Sequence, residues 1–249
     1  AQLLKNDKLN IQLGDSEKFG YSRIPFNIPA LDQLTGGGIP KKRMTLIYGP
    51  TNVGKSYLAS QIVVNAQKEG GIAAWIDTEL SWDSNWYAKC GIDTSKILVS
   101  QPTNGAWQAR FVNSALPKLL PNLQYGSAFV AINQVRASMG PVALDNMPGG
   151  LAQAFFAHFL LQVRRNGWIK EGKDNVGFDM EIRLRKTKVG GENWKSAIVP
   201  FRVDGGIDVT ESFIREGIER KLITQAGPWY SYKDQKVMGM NGVKKMFIE

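Results

Sequence analysis

One octapeptide restricts this chain more than anything else in it: Gly49-Pro50-Thr51-Asn52-Val53-Gly54-Lys55-Ser56. It follows an apolar run, Met44 to Tyr48, and precedes a segment from Tyr57 to Gln67 whose apolar residues recur at helical spacing. The glycines therefore sit at a strand-to-helix turn, the context that a phosphate-cradling Walker A loop requires. Glycine lets successive backbone N–H groups turn inward around a polyphosphate, and the helix that follows offers its positive end to the same anion. Gly49 through Tyr57 are accordingly the nucleotide-binding candidates. Lys55 is placed to reach the β- and γ-phosphates of ATP, and the Ser56 hydroxyl to hold Mg2+.

The chain's 249 residues suffice for one large core, or for a main domain with a smaller appendage. No apolar run is long enough to cross a bilayer, so no membrane partner is expected. A single cysteine, Cys90, excludes an intramolecular disulfide, and a single histidine, His158, leaves a Cys/His zinc site without ligands. Both read as packing residues. A net charge of +9 fits a polyanionic partner as readily as it fits a basic solvated surface. With no signal or transit segment, the lone thiol suits a reducing cytoplasm, and a start at Ala1 without methionine suggests a trimmed N-terminus.

Upstream of the loop, residues 1 to 20 read as an arm without chemistry, and Phe26 to Pro40 as a short helix ended by Gly36-Gly37-Gly38. Downstream, Gly70-Gly71 close a turn and Ile72 to Ile76 reads as a buried strand, which completes a βαβ unit and predicts a mostly parallel sheet. That strand ends in Asp77-Thr78-Glu79. Ligands of parallel sheets lie beyond the carboxyl ends of strands, so these carboxylates face the crevice of the phosphate loop. Glu79 is the candidate to activate water against the γ-phosphate. Helix capping is the alternative role, and Asp77 and Thr78 suit it better. Within Trp82 to Tyr87 an aromatic face can lie on an adenine ring, although core packing is the usual fate of such residues.

Further on, Ile97 to Ser100 reads as a third strand, residues 112 to 120 as a helix stopped by Pro121-Asn122, and Ala128 to Ile132 as another buried strand. The last leads into Asn133-Gln134-Val135-Arg136, where the Gln134 amide can bond a γ-phosphate and report its loss. Residues 137 to 150 form a long loop, a length that is usually functional or disordered. It starts beside Gln134, so nucleotide state and loop order can be coupled. Asp179 to Lys188 alternates as a strand with one wet face does. Lys186 and Lys188 point the same way on it, either as solvated lysines or as stabilisers of a transferring phosphoryl group. Residues 211 to 222 read as an amphipathic helix with Phe213, Ile214, Ile218 and Leu222 on its apolar face. Trp229 to Lys233 and the basic Lys244-Lys245 suggest a small α+β appendage.

These stretches together resemble the bacterial RecA recombinases, as a divergent or phage-encoded member. The resemblance rests on Tyr48 to Ser56, Trp75 to Glu79, Val99 to Pro102, Ile132 to Arg136, Gly149-Gly150, Val163 to Arg165, Lys170 to Gly172 and Ala226 to Lys233, in the family's order from about residue 24 to 240. It implies a RecA-like α/β ATPase core over residues 23–208, an N-terminal oligomerisation arm before it (1–22), and a small C-terminal DNA-binding domain over 209–249. Glu79 falls on the family's catalytic carboxylate and Gln134 on its γ-phosphate-sensing amide. Asp83 and Trp86 fall on the adenine-contacting positions, with tryptophan in place of the usual tyrosine. The second DNA-binding loop would be residues 135–150, with Arg136, Ala137, Ser138, Met139 and the amides of Gly149, Gly150 and Leu151 near DNA phosphates. Lys186 and Lys188 match a lysine pair that reaches the ATP of a neighbouring subunit, and Phe155 the residue that transmits state across that interface. The resemblance therefore implies ATP and Mg2+ as cofactors, single- and double-stranded DNA as partners, and a helical homo-oligomer in the bacterial cytoplasm that pairs and exchanges strands.

One departure stands out. Between Gln108 and Ala109 the family carries a helix, a strand ending in the Walker B aspartate, and the first DNA-binding loop, none of which is present here. The Walker B strand is expected beside the Walker A strand, and its loss predicts a gap in the sheet. We read the departure as residues omitted at that junction rather than a protein built without the strand. Two rival readings share the ATP site: a hexameric RecA-fold helicase or motor, and an ATP-binding DNA-coating protein without useful turnover.

Overall fold

A computed structural model describes residues 20–101, 114, 116–135 and 152–248. In chain order the first half comprises β1 (Arg23–Ile24), α1 (Pro29–Thr35), β2 (Ile39–Pro40), β3 (Met44–Gly49), α2 (Lys55–Lys68), β4 (Ala73–Ile76), α3 (Ser84–Lys89), β5 (Ile97–Ser100), α4 (Leu116–Asn122) and β6 (Phe129–Gln134). Then follow α5 (Ala152–Phe156), β7 (Phe159–Glu171), β8 (Asp174–Thr187), β9 (Ser196–Arg202), β10 (Gly206–Ile207) and α6 (Val209–Glu219). The chain closes with β11 (Thr224–Ala226), β12 (Trp229–Tyr232), β13 (Gln235–Met238) and α7 (Gly239–Ile248).

β3 is buried along its whole length, as an uncharged strand covered on both faces must be. Ile47 faces the larger core, where α1 (Leu31, Leu34) and α2 (Leu58, Ile62) pack on Leu161, Val163, Met180 and Ile182. Leu46 and Tyr48 face the other way, onto Leu160, Val135 and Ala157. β3 pairs in parallel with β6 on one side and β7 on the other. From β7 onward, through β8 and β9 to β10, every pairing is antiparallel. The six-stranded sheet is therefore mixed, which corrects the expectation of a mostly parallel one. Connection length is the cause: Gly172-Lys173 alone join β7 to β8, and so short a link can only reverse the chain, whereas parallel neighbours need a crossover.

β4 and β5 form a separate two-stranded parallel sheet. The reading of Ile72 to Ile76 as buried does not hold: Ile72 and Ile76 are exposed, as are Leu98 and Val99 of β5. Among the described residues neither of these apolar strands has a second neighbour. The expected place of the missing strand also needs correcting. Both sides of β3 are already occupied, so the discontinuity falls between β6, the edge of the large sheet, and the β4–β5 pair. α2 packs against β3, β4 and β6 and so spans it.

The expected stop at Pro121-Asn122 holds, since α4 ends at Asn122 with Pro121 in its last turn. The bond Pro121 forfeits is a single one, to the carbonyl of Pro117, and the chain then tightens into a 3-10 turn over Leu123–Tyr125. A smaller expectation changes: α6 ends at Glu219, so Leu222 lies beyond it and is exposed; Phe213, adjacent to the buried Ile214 and so on a different face, is exposed too.

α6, the β11–β12–β13 sheet and α7 enclose their own cluster of Ile214, Ile223, Tyr230 and Val243. An ionic network ties this unit to the large sheet. Glu211, 3% exposed, accepts from Arg202 of β9 (2.9 Å), Arg215 (2.6 Å) and Lys244 of α7 (2.7 Å), and Arg215 also donates to Asp179 of β8 (2.7 Å). Burial alone would push the Glu211 carboxyl up, but bonds from Lys244, Arg202 and Arg215 outweigh it and hold the group at about 2. Its stabilising contribution is complete above the ordinary value of 4.5 and is lost as pH falls through about 2. Glu211→Ala removes the one buried carboxylate the three cations share, leaving Arg202 to Glu171 and Asp208, Arg215 to Asp179 and Lys244 to Asp208, and should cost about 2 kcal/mol. Urea unfolding at neutral pH, followed by tryptophan fluorescence, measures this; a loss under about 0.5 kcal/mol would contradict it.

Candidate functional site

The phosphate loop is shaped by what surrounds its glycines. A Cβ on Gly49 would lie 2.1 Å from the Val163 carbonyl oxygen, so β3 can approach β7 this closely only with glycine there. Gly54 holds a left-handed φ of 84°, and a Cβ on it would meet the Met180 methyl. Between them Val53 anchors the loop in the main core, while Pro50, Thr51 and Asn52 are exposed. No side chain caps α2 at its start, which leaves its first N–H groups to an anion. Lys55 is 6% exposed and its Nζ donates to the Pro50 carbonyl. Burial lowers its pKa, and the Glu79 carboxylate opposes that shift. A buried ammonium held by one carbonyl suits an incoming phosphate. Ser56 is exposed at the helix start. The Tyr57 ring packs edge-on against Phe201 (5.2 Å), so only its backbone remains for a nucleotide.

Register puts the sensing amide beside this loop, since Gln134 pairs with Gly49. Gln134 Nε2 donates to Glu79 Oε1 at 2.9 Å, which brings together two sequence-predicted residues. Asp77 orders the segment that carries Glu79, accepting from the N–H groups of Glu79 (3.1 Å) and Trp82 (2.8 Å) and from Gln101 Nε2 (2.9 Å). Burial raises the Asp77 pKa, but the bonds from Gln101, Trp82, Glu79 and Ser81 prevail and lower it. Asp77 thus orders a loop and not a helix start, so the helix cap weighed for Asp77 and Thr78 does not form there; the cap of α3 is Asp83, and Glu79 stays exposed.

Asp83 is itself a helix cap, accepting from the N–H groups of Asn85 (2.9 Å) and Trp86 (3.2 Å) at the start of α3. The neighbouring aromatics divide. Trp82 stacks on Tyr87 (4.3 Å) and both lean on Trp75, whereas Trp86 keeps 43% of its surface exposed and is available to a planar base. Burial first, then the charges of Asp77, Cys90 and Glu79, push the Tyr87 phenol up to about 12.

Lys186 and Lys188 lie elsewhere. Thr187 pairs with Phe159, and Phe159 with Thr45, so the lysines flank the amino end of β3 while the phosphate loop leaves its carboxyl end. The intervening strand spans roughly 15 Å, farther than a lysine side chain reaches. Both lysines turn toward α5: Lys186 Nζ donates to the carbonyls of Ala154 (2.7 Å) and Phe155 (3.2 Å), and Lys188 Nζ stands 5.9 Å from the Phe155 ring centroid. Phe155 is 73% exposed. The DNA-loop candidates Arg136, Ala137, Ser138, Met139, Gly149, Gly150 and Leu151 lie outside the described residues.

One connection escaped sequence reasoning. Asn133 Nδ2 donates to Gln153 Oε1 of α5 (3.0 Å), on the strand face opposite to Gln134. The Asn133-Gln134 pair could have suggested it, but nothing in the sequence marks Gln153. Among the described residues no cluster of His, Cys, Asp or Glu could hold a metal ion. A divalent cation would therefore rest on Ser56 and phosphate oxygens, which suits Mg2+. The loop, Lys55 and the uncapped helix fit a triphosphate.

Comparison with known proteins supports the same placement. The profile of the RecA N-terminal domain matches residues 6–107 and 104–208. Protein RecA of Nocardia farcinica (strain IFM 10152) is 32% identical over 286 residues, covering 96% of this chain and 82% of its own length. Protein RecA of Cutibacterium acnes is 31% identical over 282 residues (94% and 81%), and that of Acidothermus cellulolyticus 31% over 286 (96% and 83%). An alignment of 286 positions exceeds the 249 residues present, so a block of the relative has no counterpart here. The two profile segments meet at 104–107, next to the Gln108–Ala109 junction and within the interval between β5 and β6. By the extent of both the profile match and the pairwise identity, this chain belongs to the RecA family.

Proposed function

We propose that this chain is a DNA-dependent ATPase that polymerises on single-stranded DNA as a helical filament, pairs it with homologous duplex and exchanges strands. The observation that carries the reading is the hydrogen bond between Gln134 and Glu79 at the mouth of the phosphate loop. Lys55 and the first N–H groups of α2 bind the triphosphate, and Mg2+, where bound at Ser56, offsets charge on the phosphate oxygens. Glu79 accepts the proton of the attacking water. Gln134 exchanges its bond to Glu79 for one to the γ-phosphate, which frees the carboxylate as the substrate arrives. Loss of that phosphate returns Gln134 to Glu79, and the DNA-binding loop that starts one residue later feels the change. Asn133 relays the same displacement through Gln153 to α5 and Phe155, the interface residue. Trp86 stacks on the adenine. DNA contacts from Arg136 and the 149–151 amides address the backbone, as homology must be read by base pairing alone.

Hydrolysis stimulated by single-stranded DNA, together with strand exchange between labelled oligonucleotides, tests this function. Glu79→Gln should lower DNA-stimulated turnover by at least about 100-fold while nucleotide binding persists. Unchanged turnover in that variant would remove Glu79 from the mechanism.

The lysine pair predicts a shared site. Lys55→Ala disables a subunit's own loop, and the double variant Lys186→Ala/Lys188→Ala disables only what it lends to a neighbour. Each alone should be nearly inactive, and mixing the two should restore part of the turnover. No recovery on mixing would count against sites shared between subunits.

A second reading has one observation in its favour. Among the described residues no strand joins β6 to β4, and the two profile matches meet within the interval between β5 and β6. A protein built without that strand would bind ATP and coat DNA without turnover, and ATP binding without hydrolysis, whether or not single-stranded DNA is added, would identify it.

A further inference from the structure

At the base of the sheet, opposite the phosphate loop, four basic groups gather from three strand ends. Arg43 precedes β3, His158 precedes β7, Lys186 lies at the end of β8 and Lys188 just past it. Backbone bonds fix the histidine among them: its N–H donates to the Met44 carbonyl (2.8 Å), and its carbonyl accepts from the Lys188 N–H (2.9 Å). The ring's Nδ1 is buried and has no hydrogen-bond partner. Among the described residues none of the three cations forms an ion pair. α5 supplies only carbonyls and the Phe155 ring, and on the far side Arg43 stands over the Tyr21 ring. Basic groups converge here, and among the described residues no acid pairs with them.

We propose that this cluster is a polyphosphate site completed by the triphosphate of a second copy of the chain, with His158 as its proton-dependent positioning member. The proposal rests on the reading that Lys186 and Lys188 serve a neighbour's nucleotide, and adds Arg43 and the imidazole to that pair. In the free chain, burial and the charges of Arg43, Lys188 and Lys186 favour the neutral ring. A triphosphate placed against the same groups reverses the balance, so the ring takes up a proton as the anion binds. Binding then tightens as pH falls from the bound-state midpoint to the lower free-state midpoint, and assembly on nucleotide becomes acid-favoured in the range where histidine is the side chain that titrates.

His158 is the chain's single histidine, so its ring signals in a proton NMR titration are unambiguous. The experiment uses the Lys55→Ala chain, whose own loop is disabled, with and without inorganic tripolyphosphate. The imidazole midpoint should rise by about one pH unit with the anion, equivalent to about tenfold tighter binding by the protonated form. Adding Lys186→Ala/Lys188→Ala should abolish the rise, and a midpoint indifferent to tripolyphosphate overturns the proposal. In the otherwise unaltered protein, the ATP-analogue concentration needed for filament light scattering should drop several-fold between about pH 7.5 and about pH 6, and His158→Asn should flatten that dependence. A tripolyphosphate response combined with pH-independent assembly overturns the assignment of a second copy as the occupant. Failure of the subunit-mixing experiment would instead sink the shared-site reading, whatever the imidazole does.

Discussion

The parallel pairing of β3 with β6 is the constraint on which the site depends. It places Gly49 level with Gln134, so the turn that receives phosphate and the amide that can feel it share one end of the sheet. The pairing of β3 with β7 sets the other end with equal firmness, because Phe159 beside Thr45 carries His158, Lys186 and Lys188 to the strand's beginning. One buried strand thus separates two sites of opposite need. At its carboxyl end stand the uncapped N–H groups of α2 and the Lys55 ammonium; at its amino end stand cations that form no ion pair among the described residues. The head-to-tail assembly proposed above would bring those two ends together.

The strand-to-helix turn was legible because it depends on glycine at fixed spacing: a Cβ on Gly49 would strike the Val163 carbonyl, and Gly54 holds a left-handed φ that strains any side chain. Glu79 and Gln134 were legible singly, as polar residues ending apolar strands. Their mutual bond was not, since it joins residues 55 apart through the register of a sheet. The antiparallel half of that sheet was missed because the βαβ pattern near the loop was extended to strands joined by a two-residue turn. His158 read as packing for a similar reason. Its neighbours come from the starts of β3 and β7 and the end of β8, and only the three-dimensional pairing sets them side by side.

Consecutive residues of one element tie different parts of the molecule. Adjacent residues of a strand face opposite ways, so Asn133 and Gln134 reach different structures from consecutive positions, one to α5 and one to the Glu79 carboxylate. A displacement of β6 small enough to leave its pairing with β3 intact can alter both bonds. α5 is short and ends on carbonyls that Lys186 holds, so it is tied to the sheet from both sides. The C-terminal unit is coupled differently, through charge: Glu211 gathers cations from β9, α6 and α7 around one buried carboxylate.

The split between the two sheets has a consequence for how the molecule behaves in bulk. β6, β4 and β5 each present, among the described residues, one side of unpaired backbone groups, and Ile72, Ile76, Leu98 and Val99 expose apolar surface next to two of them. Such margins recruit extended segments from any chain that offers one. A chain with those margins open would add strands from its neighbours, without nucleotide and without the axis of a filament. Aggregates of that origin would scatter light as filaments do but would persist after ATP is exhausted, so reversibility on nucleotide depletion is what separates ordered polymer from sheet-edge adhesion.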